Sequence, residues 1–243
     1  MGLIYNFQDL VRSIPSDIEA GYTLRTGGCS KGKYAGFNLG DHVDDDPSDV
    51  ARNRKLLEDA IDSKIVWMQQ THSNSVVFVD KFQTQPVLAD GLVTNQAHIA
   101  IAVMTADCLP LLLFSSDSQV ISCVHCGWRG LQGKIAANAI SVMCTYTQAP
   151  ISAILGPCIG PDSYEVGGDF LVNFPDKRES CFKKTINNKY LCDLAKICSM
   201  DLQALGIKDI FYCNQDTFKD SKNFYSYRRN PITGRMASFI LKK

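Results

Sequence analysis

The sequence has no excess of either charge and no long apolar stretch. Its 25 Lys and Arg residues balance 25 Asp and Glu residues, so no strong field would draw the chain to nucleic acid or to an anionic membrane. No apolar run reaches the ~18 residues that a membrane-spanning helix needs. The first residues lack the basic and apolar stretches of a secretory signal. These absences predict a cytoplasmic protein that binds neither nucleic acid nor membranes, with a monomer as the default.

Histidine is also scarce, with four residues in a chain of 243. A coupled copper oxidase needs roughly ten imidazoles, divided between a blue copper site and a trinuclear cluster. Four histidines exclude that class of enzyme but suffice for one smaller metal site.

The ten cysteines do not form a disulfide scaffold or a zinc knuckle. They are scattered through apolar segments, which is typical of reduced core residues in a chain of this size. The single CxxC motif, Cys123 to Cys126, has no second copy to complete a structural zinc site. Cys123 lies two residues before His125, so strand alternation places both side chains on one face.

Hydrophobic patterning predicts an α+β fold. Segments rich in Val, Ile, Leu and Phe predict strands, namely IVWMQQ, VVFVD, IAIAVMT, LPLLLFS, QVISCVHC, SAILGP, DIFYCN and RMASFILKK. Helical spacing predicts helices over 47–61, 131–146, 167–174 and 191–205, and SSDSQV predicts a hairpin turn. Adjacent strands, separated helices and the absence of a linker or repeat predict one α+β domain over residues 1–243.

Two histidines and one cysteine stand where strands end. His72 and His125 lie at or near the ends of apolar strands, and Cys108 precedes Pro110, which predicts a corner between strand and loop. Two imidazoles and a thiolate with an open fourth position suit a catalytic zinc ion, which lowers the pKa of a bound water towards ~7. The same residues suit a cysteine hydrolase or amidase, with Cys108 as nucleophile, His125 as base and Asp107 orienting the base. Their spacing does not separate the two interpretations.

Two further segments carry candidate binding residues. The glycine-rich segment 154–168 lets backbone N–H groups approach a ligand, although it matches neither the phosphate-cradle pattern nor the dinucleotide fingerprint. The segment FYSYRRNPITGR sets tyrosines beside arginines, a composition that suits base stacking and a phosphate fork. A solvated turn before the last strand explains it equally well.

Several blocks of the chain, in this order, resemble one known family. They are LRTGGCSKGKYAGFNLGDHVDDDP, RNRKLL, WMQQTHSNSV, ADGLVT, TADCLPLLL, VHCGWRGL, LGPCIGPDSYEVG, and FYSYRR with TGRMAS. The family is that of the YfiH-like, laccase-domain proteins, described as multicopper polyphenol oxidases, purine nucleoside phosphorylases or peptidoglycan editing factors. The resemblance implies a layered sandwich of mixed β-sheets flanked by helices. It also implies phosphorolysis of adenosine, inosine, guanosine and methylthioadenosine, and deamination of adenosine.

The resemblance also implies a site. Its zinc ligands and catalytic residues would be His72, Cys108 and His125. Its substrate-binding residues, for a purine nucleoside and phosphate, would be Arg25, Asn38, Asp107, Arg129, Tyr227 and Arg228. Copper at the same ligands would give weak oxidation in vitro at most. The sequence departs from the family at Ser73, where a glycine is common, and at Cys126, where an alanine is usual.

Other functions remain open at this point. The same Cys/His site would serve a hydrolase that edits cell-wall precursors. A protein that binds a metal and a partner without turnover is a third class, and a copper-dependent polyphenol oxidase is the least favoured.

Overall fold

Two β-sheets face each other in the computed structural model, which describes residues 4–243 and, at 177–179, the backbone alone. The strands are β1 (Ile4–Asn6), β2 (Ile18–Thr23), β3 (Lys64–Val66), β4 (Met68–Gln69), β5 (Val76–Val79), β6 (Val87–Leu88), β7 (Gly91–Thr94), β8 (Ile99–Thr105), β9 (Leu109–Ser115), β10 (Ile121–Cys126), β11 (Ile151–Leu155), β12 (Glu165–Gly167), β13 (Phe182–Lys184), β14 (Lys189–Cys192), β15 (Ile210–Tyr212) and β16 (Met236–Lys242). The α-helices are α1 (Pro47–Ala60), α2 (Trp128–Gln132), α3 (Ile135–Met143), α4 (Arg178–Cys181) and α5 (Leu194–Ala204).

Both large sheets are mixed. The five-stranded sheet has the order β1-β2-β16-β8-β3, and the six-stranded sheet has the order β15-β11-β9-β10-β7-β5. Each is antiparallel in its centre, with parallel strands at its margins: β3 against β8, β15 against β11 and β5 against β7. Smaller sheets join β12, β14 and β13, and β4 with β6. The predicted α+β class is confirmed.

The alternation of side chains along the strands builds a layered core. In β9, Leu112 and Phe114 face the other large sheet, whereas Leu111 and Leu113 pack with the apolar residues of α3 and α5. Helix α1 packs through Leu57 on the outer face of the five-stranded sheet. The order of layers is therefore helix, sheet, sheet, helix, as the resemblance implied. That residues 1–243 form one domain stays a prediction.

The helices differ from the predicted ones where the backbone takes another conformation. The predicted helix 131–146 is divided into α2 and α3, because Lys134 adopts a left-handed φ of 60° between them. The predicted helix 167–174 is a 3-10 helix at Gly168–Asn173. Helix α1 begins as predicted, with the Asp46 carboxylate accepting the Ser48 N–H at 2.8 Å. Among residues 4–243, no helix combines the length and apolarity needed to cross a membrane.

Two strand predictions are corrected. The segment IVWMQQ is divided at Trp67 between β3 and β4. Pro110 does not end regular structure, because it is the second residue of β9. Its carbonyl accepts the Gly156 N–H at 2.9 Å, where the pairing of β9 with β11 ends, so proline is tolerated at the margin of this ladder. Cys108 still stands at the predicted corner, in the bend between β8 and β9, and the hairpin turn is confirmed by the Ser118 N–H bond to the Ser115 carbonyl at 3.0 Å.

Alanine substitution should destabilise the protein more at a leucine between the two sheets than at an exposed leucine. Leu112→Ala should lower the free energy of unfolding by about 2–5 kcal/mol, because it leaves a cavity between two sheets that cannot close together. Leu88→Ala removes the same atoms from a side chain that is 62% exposed and should change it by less than about 0.5 kcal/mol. Urea unfolding measures both, and equal losses would contradict the layered core.

Candidate metal centre

The pairing of β7 with β10 brings a carboxylate beside a histidine. Val124 lies opposite Gly91 in this ladder, so the next residue of β10, His125, lies beside Asp90. The His125 N–H donates to the Asp90 carbonyl at 2.7 Å. Asp90 is fully buried and His125 is 3% exposed.

The pairing of β9 with β10 brings the cysteine to the same place. His125 lies opposite Pro110 in this ladder, so Cys108 stands two residues before the partner of His125, next to Gly127. Asp90, Cys108 and His125 thus lie together at the same end of three neighbouring strands, β7, β9 and β10.

The loop after β4 brings His72, and the Asp90 carboxylate holds this loop. Its oxygens accept the backbone N–H groups of Thr71, His72 and Ser73 at 3.1, 3.0 and 2.7 Å. They also accept the hydroxyl of Thr71 at 3.2 Å and that of Ser73 at 2.7 Å. His72 adopts a left-handed φ of 60° there, a conformation that costs free energy for a residue other than glycine unless its surroundings fix it. Asp90 therefore fixes the backbone at His72, from which the imidazole side chain extends.

Asp90 also orients the ring of His125. The Nδ1–H of His125 donates to Asp90 Oδ1 at 2.8 Å, which leaves Nε2 as the ligand atom. Burial alone would raise the pKa of Asp90, but the hydrogen bonds from His125 and Ser73 outweigh it and hold that pKa well below its usual range. One ionised carboxylate therefore positions both histidines.

The three candidate ligands converge. One ligand atom each of His72, Cys108 and His125 lies within 4.8 Å of the others, and the two imidazole rings meet edge to face with centroids 4.7 Å apart. Zinc binds imidazole nitrogen at about 2.0–2.1 Å and thiolate at about 2.3 Å, so small side-chain shifts bring all three onto one ion. Among the described residues, no other group of three metal-ligating side chains gathers in this way.

The charges of the cluster favour the ligand form of the cysteine. Burial raises the pKa of the Cys108 thiol, but the imidazoles of His125 and His72 outweigh it and lower that pKa to about 6. Burial lowers the pKa of His125, but Cys108 and Asp90 outweigh it and raise that pKa to about 9. The thiolate, which is the form that binds metals, therefore predominates at neutral pH. His125 is protonated at that pH without a metal, so metal binding displaces its Nε2 proton.

Gly127 leaves a space among the three ligands. A Cβ atom at this position would lie 3.3 Å from His72 Cδ2, 3.4 Å from Cys108 Sγ and 3.5 Å from His125 Cε1. The nitrogen and sulfur donors, their spacing and this space fit a single soft or borderline metal ion.

A cavity of about 500 Å³ opens beside the cluster, within the range of small-molecule sites. It is lined by the three candidate ligands and by four of the predicted binding residues, Asp107, Arg129, Tyr227 and Arg228. Two arginines lie over aromatic rings at its rim, Arg129 over Trp128 at 4.2 Å and Arg228 over Tyr164 at 5.0 Å.

Asp107 lines the cavity, but its carboxylate already has partners. It accepts the Thr217 hydroxyl at 2.7 Å, the Ser226 hydroxyl at 3.0 Å and the Arg228 N–H at 2.7 Å. The partner that orients His125 is thus Asp90, not Asp107 as the cysteine-hydrolase interpretation supposed. Asp107 joins the Cys108 corner to the segment 217–228.

Two predicted binding residues lie outside the lining of this cavity. The Arg25 guanidinium lies 4.8 Å from the ring centre of Tyr225 and donates to the Ser221 carbonyl at 3.1 Å. Asn38 is fully buried, and its Oδ1 accepts the Arg235 N–H at 2.8 Å. Asn38 therefore contacts the backbone of Arg235, and the Arg235 side chain lines the cavity.

The sequence pattern missed Asp90 and Gly127 as site residues, and it did not distinguish Arg235 from the other arginines of the segment FYSYRRNPITGR. Asp90 offered one signal, since a carboxylate in the apolar context VLADGLV needs a buried partner. Gly127 and Arg235 act through contacts that only the folded chain creates.

Residues 19–243 match the family model described as multi-copper polyphenol oxidoreductase laccase. The chain is similar to the purine nucleoside phosphorylase of Haemophilus influenzae, with 37% identity over 238 residues, 94% of this chain and 96% of the relative. It is 36% identical to the Escherichia coli K12 purine nucleoside phosphorylase YfiH over 230 residues, 93% of this chain and 94% of the relative.

Solved structures agree over the same length. A Neisseria meningitidis protein of the family called DUF152 superposes with a TM-score of 0.92 and 32% identity, covering 100% of both chains. YlmD of Geobacillus stearothermophilus superposes with a TM-score of 0.87 and 29% identity, covering 94% of this chain and 93% of its own.

Replacement of Asp90 tests its hold on the histidines. Asp90→Asn should weaken zinc binding about 10- to 100-fold, because the amide can present an N–H to His125 Nδ1 and stabilise the tautomer that protonates Nε2. Competition with a chromophoric chelator measures the affinity. Asp117→Asn, in the β9–β10 turn, is the matched control, and equal affinities of both variants would argue against this role of Asp90.

A methyl group at position 127 tests the space between the ligands. Gly127→Ala should reduce bound zinc while changing the melting temperature of the metal-free protein little, because φ −63° and ψ 161° are open to alanine. Metal analysis after dialysis and a thermal melt measure the two effects. Full zinc content in this variant would place the ion elsewhere.

Proposed function

The chain belongs to the family of laccase-type multi-copper polyphenol oxidoreductases, and we propose that it is a metal-dependent purine nucleoside phosphorylase. The cavity beside the three converging ligands carries this proposal. Apart from the metal-ligand cluster, its charged side chains are the carboxylate of Asp107 and the guanidinium groups of Arg129, Arg228 and Arg235. A site with this excess of positive charge suits an anionic reactant such as phosphate. The names of the relatives from Haemophilus influenzae and Escherichia coli support the same activity.

Different residues of the cavity would contact the purine nucleoside and the phosphate. Trp128 and Tyr164, each with an arginine over one ring face, line the cavity and offer apolar surface to a purine ring. An arginine guanidinium would bind the phosphate. A phosphate oxygen forms a bond to C1′ of the ribose while the C1′–N9 bond breaks. The electron pair of that bond goes to the purine, which takes up a proton and leaves, and ribose 1-phosphate remains.

His72, Cys108 and His125 would hold the metal ion, which would supply a Lewis acid beside the substrate. Asp90 keeps the Nδ1 proton on His125 and fixes the loop of His72, so the ligand atoms are in place before substrate binds.

Finer features complete the proposal. Zinc is the proposed ion, since two imidazoles and one thiolate with an open position match a catalytic zinc site, while copper would give weak oxidation only. Adenosine, inosine, guanosine and methylthioadenosine are the proposed nucleosides, and deamination of adenosine is proposed as a second reaction. The enzyme is proposed to act in the cytoplasm, as a monomer.

A cell-wall precursor hydrolase is the second candidate, favoured by two observations. Cys108, His125 and Asp90 also form a series of nucleophile, base and orienting carboxylate. A shallower depression of about 470 Å³ shares Trp128 and Arg228 with the cavity, so a longer substrate has room to extend.

Product analysis tests the proposed function. Zinc-loaded protein incubated with inosine and phosphate should release hypoxanthine and ribose 1-phosphate, and omission of phosphate should abolish both. Cys108→Ala should lower the turnover by more than about 100-fold, since it removes a metal ligand. Adenosine without phosphate tests deamination through the appearance of inosine.

The outcomes separate the candidates. Removal of zinc by a chelator should abolish phosphorolysis and restoration of zinc should recover it, whereas a cysteine hydrolase would keep its activity without metal. Absence of nucleoside products from protein with one zinc per chain would overturn the proposal and favour the cell-wall precursor as substrate.

A further inference from the structure

Arg235 is the cavity arginine whose position the fold specifies most closely. Its N–H donates to Asn38 Oδ1 at 2.8 Å, and its carbonyl accepts the Leu39 N–H at 3.1 Å. A Cβ atom on Gly40 would lie 2.8 Å from Arg235 Cγ, so the glycine leaves room for the arginine side chain. The segment 38–40 thus fixes Arg235 from its backbone to the middle of its side chain.

The guanidinium group of Arg235 is only partly satisfied by the protein. Its Nη1 donates to the carbonyls of Thr233 and Gly234 at 2.8 and 3.1 Å. Within the described part of the chain, Nε and Nη2 have no hydrogen-bond partner, and the arginine ion pairs are those of Arg52 and Arg54. No atom of Arg235 is among the fully buried, unpartnered side-chain atoms of the described residues. Nε and Nη2 are therefore accessible from the cavity and can donate to an anion there.

The other two cavity arginines are held differently. Arg129 and Arg228 are exposed, and an aromatic ring covers one face of each guanidinium. Arg228 also donates through Nη1 to the Glu165 carbonyl at 2.8 Å. These contacts place both at the rim, whereas Arg235 is more enclosed and has two donors free.

We propose that Arg235 is the residue that binds the phosphate co-substrate, through Nε and Nη2 as a two-pronged donor. This inference deepens the proposed function and rests on it. The two nitrogens match the spacing of two phosphate oxygens, and the remaining oxygens stay available for attack on C1′. The buried Asn38 then owes its place to Arg235 rather than to contact with the substrate.

Kinetics on the zinc-loaded full chain test this assignment. In Arg235→Gln, the KM for phosphate at saturating inosine should rise about 10- to 100-fold, as expected for loss of charge-assisted hydrogen bonds, with the KM for inosine changed less than about two-fold. Arg235→Lys keeps the charge without the fork and should give an intermediate KM. It also carries the test if Arg235→Gln does not fold. Arg228 lies over the Tyr164 ring that is proposed to contact the purine, so Arg228→Gln should affect the KM for inosine more than that for phosphate.

A measurement without turnover separates this inference from the proposed function. Inorganic phosphate alone should raise the melting temperature of the wild-type protein and leave that of Arg235→Gln unchanged. If the wild type shows no phosphorolysis but keeps this Arg235-dependent shift, the phosphorylase proposal fails and the anion site stands. An unchanged phosphate KM in both Arg235 variants, a full melting shift in Arg235→Gln, or no shift in the wild type would overturn the assignment.

Discussion

The buried carboxylate of Asp90 is the group on which the site depends. An ionised carboxylate without access to water is costly unless hydrogen bonds satisfy it. Here the backbone N–H groups of Thr71, His72 and Ser73, two hydroxyls and the ring of His125 all donate to it. Because the partners come from the loop after β4 and from β10, the carboxylate can be satisfied only if both stand in their native places. The placement of two candidate metal ligands, His72 and His125, is thereby tied to the stability of the fold.

Strand pairing in the six-stranded sheet positions Cys108 and Asp90 beside His125. Antiparallel pairing of β7, β10 and β9 fixes the neighbours of His125 to within one residue, since a slip of one residue would turn every side chain to the opposite face. Cys108 precedes β9, and Asp90 precedes β7, so both follow from the register of central, buried strands. A rigid scaffold of this kind holds ligands more closely than loops alone. The candidate ligand His72 lies on the loop after β4, and the Asp90 carboxylate holds this loop by accepting the His72 N–H.

The sequence predicts those features that local pattern determines. Strands β8 and β9 have their predicted bounds, since each is a continuous apolar run between turn residues. The three candidate ligands could be singled out because they stand at or near strand ends, and the structure brings them together. Asp90 was missed because its partners lie up to 35 residues away, and no local pattern encodes such contacts. Asn38 as a substrate-binding residue stays a prediction; in the fold its Oδ1 accepts the Arg235 N–H, a contact that no local pattern encodes. The division of the helix at Lys134 has no signal either, because lysine is a good helix former.

The cluster of His72, Cys108 and His125 can be interpreted as a metal site or as the site of a cysteine nucleophile. A thiolate between two imidazoles fits a metal ion, and a cysteine nucleophile would need only one of them. Because Asp90 orients both histidines, the metal site is the simpler explanation of its many contacts. X-ray absorption spectroscopy at the zinc edge of the loaded protein tests this most directly. The account predicts one sulfur at about 2.3 Å and two imidazole nitrogens at about 2.0–2.1 Å, and a spectrum without sulfur would contradict it.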